Sequence, residues 1–237
     1  KKIKEKYDTT EKVTGSKKTI VLSNGEKLSG TYKLIEAGNV SASHNAETFE
    51  KTEGFPTTEN GTTVNDRDYQ SDKNAQNLVT QKSDNFDGRA FADNGVIVTK
   101  DGIVVSGNDR TMSGDLAAKK GTDTAYIEYL KDNASQFGFT VEQIDNMKHP
   151  RVVFELNKKL PYDTKTFAMF NKDAKKSKSV SERAKEIGKT IDEDTINSVS
   201  EIIDNFDTID DLYNNKKATR ELISLMQAKN IIDSNDL

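Results

Sequence analysis

The segment 95–106, GVIVTKDGIVVS, limits the fold more than any other stretch: two runs of Val and Ile flank Lys100-Asp101-Gly102. β-branched runs on either side of a Gly-bearing turn read as a hairpin. As the most apolar part of the chain, it is expected to supply the central strands of a sheet. Gly107-Asn108-Asp109-Arg110-Thr111 follows at once, and then a helical pattern through Met112, Leu116, Ala117 and Ala118. The order strand, glycine turn, helix sets the frame for the rest.

From Thr19, TIVLSNGEKLSGTYKLIEA places two β-rich runs about Ser23-Asn24-Gly25, and Asn-Gly tolerates the positive φ of a tight turn. A hairpin of about 19–23 and 27–36 is expected. Residues 72–82 read as a short helix with Ala75, Leu78 and Val79 inward, and 151–156, RVVFEL, as a strand. Residues 122–136 set Ala125, Tyr126, Tyr129, Leu130 and Ala134 on one helical stripe, with Tyr126, Tyr129, Phe137 and Phe139 as core and base stacking as their alternative use. Segments 164–171 and 181–189 look helical. Beyond Ile191 only amphipathic helices are expected, about 194–205, 208–213 and 216–229. Residues 1–18 carry seven Lys and three large apolar side chains, which reads as a flexible tail or linker. The expected division is therefore a tail over 1–18, an α+β body over 19–189 and a helical extension over 190–237.

Composition narrows the functions. Lys and Arg number 35 against 39 Asp and Glu, a net charge of -4, so indiscriminate duplex binding is disfavoured and nucleic-acid contact must be local. Local basic runs exist at 172–178, KDAKKSK, and at 1–6, although such runs are usually solvated faces. With no Cys there is no disulfide framework, thiolate zinc site or cysteine nucleophile, and two His, His44 and His149, cannot build a histidine-rich metal centre. No apolar run approaches the ~20 residues needed to span a bilayer, so no membrane partner is expected. Lys1 in place of an initiator Met reads as a piece of a longer parent.

The strongest constellation for chemistry is the strand, then Gly107-Asn108-Asp109-Arg110, then the helix. Glycine at a strand exit lets backbone approach a ligand, free amides and the positive end of a helix dipole attract an anion, and Arg110 adds a bidentate cation. The same spacing also suits an ordinary capped helix with a surface salt bridge. Neither GxGxxG nor GxxxxGK[ST] occurs, which removes dinucleotide-binding and P-loop readings, and the absence of GxSxG speaks against a serine hydrolase. Asp66, Asp68, Asp101 and Asp109 could supply one or two carboxylates to Mg²⁺ beside phosphate oxygens, or cluster by chance. His149, beside Pro150, reads as structural.

Asp101-Gly102-Ile103-Val104-Val105-Ser106-Gly107-Asn108-Asp109-Arg110-Thr111, followed by Leu116-Ala117-Ala118, resembles the second box of the ParB and sulfiredoxin-like superfamily. Upstream, YKLIEAGNVSASH over 32–44, Gly54-Phe55-Pro56 and Asn65-Asp66-Arg67-Asp68-Tyr69-Gln70 resemble its DdrB-like branch, found in polyvalent proteins of bacteriophages and conjugative elements. The resemblance covers roughly 19–180. It implies an α+β ParB-like fold, a small mixed sheet with surrounding helices, an N-terminal β-hairpin and a C-terminal helical extension. It also implies a nucleotide or nucleic-acid phosphate site, with Gly107, Asn108, Asp109, Arg110 and Thr111 in the Gly-x-x-Arg turn and Mg with a nucleoside triphosphate as cofactor. His44 of the Ser-His box and Arg67 of the Asn-Asp-Arg box are the implied catalytic residues, for a metal-dependent nuclease, a nucleoside triphosphatase or a nucleotide-dependent switch on DNA. Departures remain: Asn-Asp-Arg stands where the superfamily has Asn-Pro-Arg, and no Cys exists for sulfiredoxin chemistry. The implied setting is the bacterial cytoplasm or a phage virion, with other domains of a larger parent or virion proteins as partners. The alternative is a non-catalytic structural or interaction module.

Overall fold

A computed structural model describes residues 2–22, 24–65, 67–170, 193–206 and 208–228. The chain divides into two compact units, Lys1–Lys176 and Ser177–Leu237. In the first, a helix α1 (Lys2–Thr9) precedes a hairpin of β1 (Val13–Val21) and β2 (Lys27–Glu36), and a long loop leads to α2 (Lys73–Asp84). A 3-10 segment, Gly88–Asn94, leads into β3 (Val96–Val98) and β4 (Val104–Ser106). Then come α3 (Asn108–Lys120), α4 (Thr124–Asp132), α5 (Ala134–Phe137), α6 (Val141–Asp145), β5 (Pro150–Leu156) and α7 (Thr164–Ala168). The second unit contains α8 (Glu193–Ile203), α9 (Ile209–Asn214) and α10 (Lys216–Ala228), with Leu212 and Ala218 buried.

The strands form one mixed sheet in the order β1-β2-β5-β3-β4, the α+β arrangement expected. β1 and β2 are antiparallel through Val13↔Leu34 to Val21↔Lys27, and β2 pairs antiparallel with β5 from Gly30↔Leu156 to Glu36↔Pro150. β3 runs parallel to β5, and β4 antiparallel to β3. β5 is therefore the central strand, whereas the Val-rich hairpin occupies the far edge. That edge does not stay bare, because the Ser41 amide donates to the Gly102 carbonyl at 2.8 Å and Val104 returns a bond to Ser41 at 3.0 Å. Capping an open edge in this way satisfies its backbone groups and carries Ser43 and His44 to the start of α3.

Alternation along β2 and β5 builds a core on each face. Leu28, Tyr32, Leu34, Val152, Phe154 and Leu156 join one cluster with helices α4 to α7, while Ile35 and Val153 meet Val98, Val104 and Tyr7 on the other. A third cluster, Ala42, Tyr69, Ala75, Val79 and Met112, ties α2 and α3 to the long loop.

Several expectations are corrected. The tail over 1–18 instead holds α1 and most of β1. Ile3 and Tyr7 are buried, and the Tyr7 hydroxyl donates to Glu155 at 2.7 Å. Three of the lysines that suggested disorder are engaged at the surface: Lys2 pairs with Glu53, Lys4 with Asp8 and Asp101, and Lys6 donates to the Gly38 carbonyl. The helix expected over 122–136 breaks at Asn133, Tyr129 is 41% exposed, and Leu78 faces outward at 47%. The basic run 172–178, the helix at 181–189 and the expected boundary at 189/190 fall outside the described residues.

Candidate functional site

β4 ends at Ser106, and Gly107 turns the chain into α3 with φ 84° and ψ 31°, the left-handed region that glycine alone enters without strain. A Cβ at Gly107 would also lie 3.0 Å from the Gly95 carbonyl oxygen and 3.2 Å from Val96 Cα. Conformation and space both demand glycine here. The helical ladder starts with the Thr111 amide donating to the Gly107 carbonyl at 2.9 Å, and no side chain caps the helix. The amides of Asn108 and Asp109 thus lie ahead of the ladder, at the positive end of a 13-residue helix.

Asn108 organises the site. Its buried side chain accepts from the Ser43 amide at 2.7 Å and donates to Asn65 Oδ1 at 3.1 Å, while Asn65 Nδ2 donates to the Arg67 carbonyl at 2.9 Å. Three segments far apart in sequence, carrying Ser43-His44, Asn65-Arg67 and Gly107–Arg110, are bound together by one amide group. Thr111 turns inward, its hydroxyl donating to the Gly107 carbonyl at 3.0 Å. Asn108 and Thr111 therefore shape the turn through internal bonds.

Charge gathers around Asp109. Lys82 at the end of α2 donates to its carboxylate at 2.5 Å. Burial pushes the Asp109 carboxyl up, but Lys82, with Arg110 and Arg67 further out, outweighs burial and holds it below the ordinary value. Lys82 is in hydrogen-bond contact with this carboxylate, and the two arginines act on it through their charge. Arg110 reaches back to the sheet, where its Nη1 donates to the Gly95 carbonyl at 3.3 Å. Arg67 is half-buried.

His44 is 2% exposed, packed edge-on against Tyr69 with ring centroids 5.4 Å apart. Its Nδ1 lies 2.9 Å from Ser43 Oγ, and its Nε2 stands 3.8 Å from Asp68 Oδ1, too far for a hydrogen bond. That Nε2 is a buried polar atom with no hydrogen-bond partner among the described residues. Burial lowers the His44 pKa to about 4, Asp68 pulls it up and Lys51 pushes it further down. The ring is neutral at pH 7.

Of the four carboxylates named as magnesium ligands, the three that are described each have partners of their own. Asp101 lies by α1, accepting from the Tyr162 hydroxyl at 2.7 Å and pairing with Lys4. Asp68 accepts from the Gln70 amide and the Ser71 hydroxyl, Asp109 is held by Lys82, and Asp66 lies outside the described residues. Among the described residues no three His, Cys, Asp or Glu side chains group as a metal site would require.

Sequence reasoning missed Lys82 and the bonds made by Asn65 and Ser43. A lysine in the last turn of α2 is unremarkable in one dimension, and only the packing of α2 on α3 brings it to Asp109. His149, expected to be structural, pairs through Nδ1 with Asp123 at 3.0 Å, apart from the residues gathered at the Gly107 turn.

A family model described as the ddrB-like ParB superfamily domain matches residues 23–155. No curated protein and no solved structure matches the chain. Among the described residues no helix is long and apolar enough to cross a membrane.

Proposed function

Because the chain belongs to the ddrB-like ParB superfamily, we propose that it binds the phosphate of a nucleotide or nucleic acid at the N-terminus of α3. The observation that carries this reading is the Asn108 knot. It draws Ser43-His44, Asn65-Arg67 and the Gly107 turn onto one spot, where Lys82 pairs with Asp109 and the charges of Arg110 and Arg67 act on the same carboxylate. A phosphate there meets the amides of Asn108 and Asp109 and the helix dipole. Arg67 and Arg110 bring guanidinium charge to it, Arg110 while also donating to the Gly95 carbonyl, and Lys82 adds a point charge that Asp109 holds in place.

His44 gives the site its potential chemistry. Buried and neutral, it is a weak base when the cleft is empty. An anion beside it favours the charged ring, so a phosphate raises its pKa toward the range useful for general acid–base catalysis at neutral pH. On this reading the domain is a phosphodiesterase or a nucleotide-dependent switch, with His44 exchanging the proton and Arg67 and Arg110 holding the phosphate. One observation favours the non-catalytic module: Asp109 already supplies a negative charge at the helix N-terminus.

Titration with nucleoside triphosphates and with single-stranded DNA, followed by calorimetry, separates the two. Saturable binding that Arg110→Ala weakens by about 1.5–3 kcal/mol, the scale of a charged hydrogen bond, is expected. Absence of binding at millimolar ligand favours the module. A nuclease additionally requires cleavage of single-stranded or plasmid DNA that is lost in His44→Ala and Arg67→Ala, and unchanged cleavage in either variant removes these two residues from the chemistry.

A further inference from the structure

A column of aromatic rings crosses the first unit and ends in a second concavity. It begins at Phe86 and Tyr126, 4.9 Å apart, continues to Phe91 at 4.8 Å and 9° from Tyr126, and reaches Tyr129 and Phe137 at 5.1 and 5.0 Å from Phe91. Phe137 then meets Tyr32 edge-on at 5.1 Å. Phe91, Tyr129, Phe137 and Tyr32 all border a groove of about 350 Å³ between the sheet and α4–α5. Tyr129 is 41% exposed. A solvent-exposed ring at the end of a stack presents aromatic surface for a further planar group.

The groove is also positively charged. Lys17 and Lys18 line it and no acidic residue does. Both lysines are exposed, Lys18 lies 6.0 Å from the Tyr32 ring centroid, and Lys17 has no ion pair among the described residues. The register of β1 shifts between Thr14 and Lys17, a bulge of the kind that re-aims side chains. The volume lies within the range of small-ligand sites. Flat aromatic walls beside two exposed ammonium groups, of which Lys18 donates to the Tyr32 hydroxyl at 3.4 Å, suit an occupant that is both planar and anionic. An aliphatic ligand would leave the lysines unused, and an acidic peptide would use the lysines but not the ring faces.

We propose that this groove takes an unpaired nucleobase together with its phosphate, the base against Tyr129 and Phe137 and the phosphate at Lys17 and Lys18. The source is a free nucleotide or one unit of a single strand. The site goes beyond the cleft at α3 and shares none of its side chains.

Fluorescence anisotropy of a fluorescein-labelled twelve-residue thymidine oligonucleotide tests the groove in the full chain. Base–aromatic stacking predicts that Tyr129→Ala weakens binding about 5- to 150-fold while Tyr129→Phe stays near the parent. Lys17→Glu, an exposed change with no packing cost, is expected to weaken binding and to flatten its salt dependence. The same two substitutions, Tyr129→Ala and Lys17→Glu, made in an Arg110→Ala background are expected to weaken the remaining binding further, which separates the groove from the α3 N-terminus. Competition by millimolar thymidine monophosphate supports a free nucleotide as ligand, whereas competition by unlabelled strand alone supports a single strand. The proposal is overturned by absence of binding, by binding indifferent to both Tyr129→Ala and Lys17→Glu, or by capture of an acidic phenylalanine-containing peptide in place of the oligonucleotide.

Discussion

Two buried charge centres lie along α3, and they differ in completeness. At mid-helix, Asp123 accepts from Arg151 Nη2 at 2.8 Å and pairs with His149 Nδ1 at 3.0 Å. Arg151 donates further to the Gly114 and Pro150 carbonyls at 2.7 and 2.8 Å, and its guanidinium lies 5.0 and 5.2 Å from the Tyr126 and Phe86 ring centroids. Only its Nε lacks a partner among the described residues, beside a cavity of about 20 Å³, room for one water. At the helix N-terminus, by contrast, His44 Nε2 faces Asp68 across 3.8 Å and two amides precede the ladder. Both centres contain Arg, Asp and His. Each centre leaves one buried nitrogen without a hydrogen-bond partner among the described residues, Arg151 Nε and His44 Nε2. What separates them is that Arg151 is anchored to Asp123 at 2.8 Å whereas His44 Nε2 stands 3.8 Å from Asp68.

The sharpest way to break that contrast is Asp123→Ala. Burial alone would raise the Asp123 carboxyl, but Arg151, with His149 adding to it, brings it below the ordinary value. Removing the carboxylate leaves Arg151 buried without its counter-ion, and urea unfolding is expected to show a loss of about 3–5 kcal/mol. The phosphate binding proposed for the α3 N-terminus should be unaffected wherever the variant remains folded. A loss below about 1 kcal/mol would make the two centres energetically alike.

Acid titration sharpens the contrast with opposite signs. His44 has a folded pKa of about 4 against about 6.5 in the unfolded chain. Its contribution is complete above pH 6.5 and is lost as the pH falls toward 4, because the unfolded chain binds the proton first. Asp115, which lines the small cavity by Arg151, is pushed by burial to about 6, with the Gly38 amide and nearby cations pulling the other way. Its cost is present above pH 6 and is relieved as the pH falls toward 3.8. The two slopes offset each other in the parent. Asp115→Asn keeps an acceptor for the Gly38 amide but removes the titration, so it should lose about 2 kcal/mol more than the parent between pH 7 and 4.5. His44→Gln should shift in the reverse direction. Parallel pH profiles for all three proteins would show that these two groups do not set acid stability.

Local chemistry made much of this fold readable. Asn24-Gly25 and Gly102 mark the two hairpin turns because both glycines take positive φ, 83° and 78°. Asp72 signals α2 because its carboxylate accepts from the Asn74 and Ala75 amides. The first six residues of β1 were hidden because none of them is buried, so Lys17 and Lys18 look like part of a solvated tail, while its end fell within the expected hairpin arm. α1 is held by Tyr7 against a distant strand, a contact no local pattern encodes. The site was partly legible: spacing pointed to Gly107 and Arg110, and the resemblance to His44 and Arg67. Lys82 and the groove depend on which helix lies beside which, and Tyr129 shares the stripe of buried Tyr126 while facing water.

The smallest expected effect concerns how the cleft is assembled. Asn108 makes two bonds to other segments, and each net hydrogen bond contributes roughly 0.5–1.5 kcal/mol. Asn108→Ala should therefore cost about 1–3 kcal/mol of global stability, and exchange of the Ser43 amide, freed from its acceptor, should accelerate beyond that global change. Asn108→Asp retains the acceptor for Ser43 and loses only the donor to Asn65, so Ser43 exchange should stay near the parent while the loop carrying Arg67 loosens. If both variants protect Ser43 equally well, the knot is not what holds the Ser-His segment against the turn. The contrast between a finished scaffold and a site kept open by three converging loops would then need another origin, with the sheet-edge bonds of Ser41 as the first candidate.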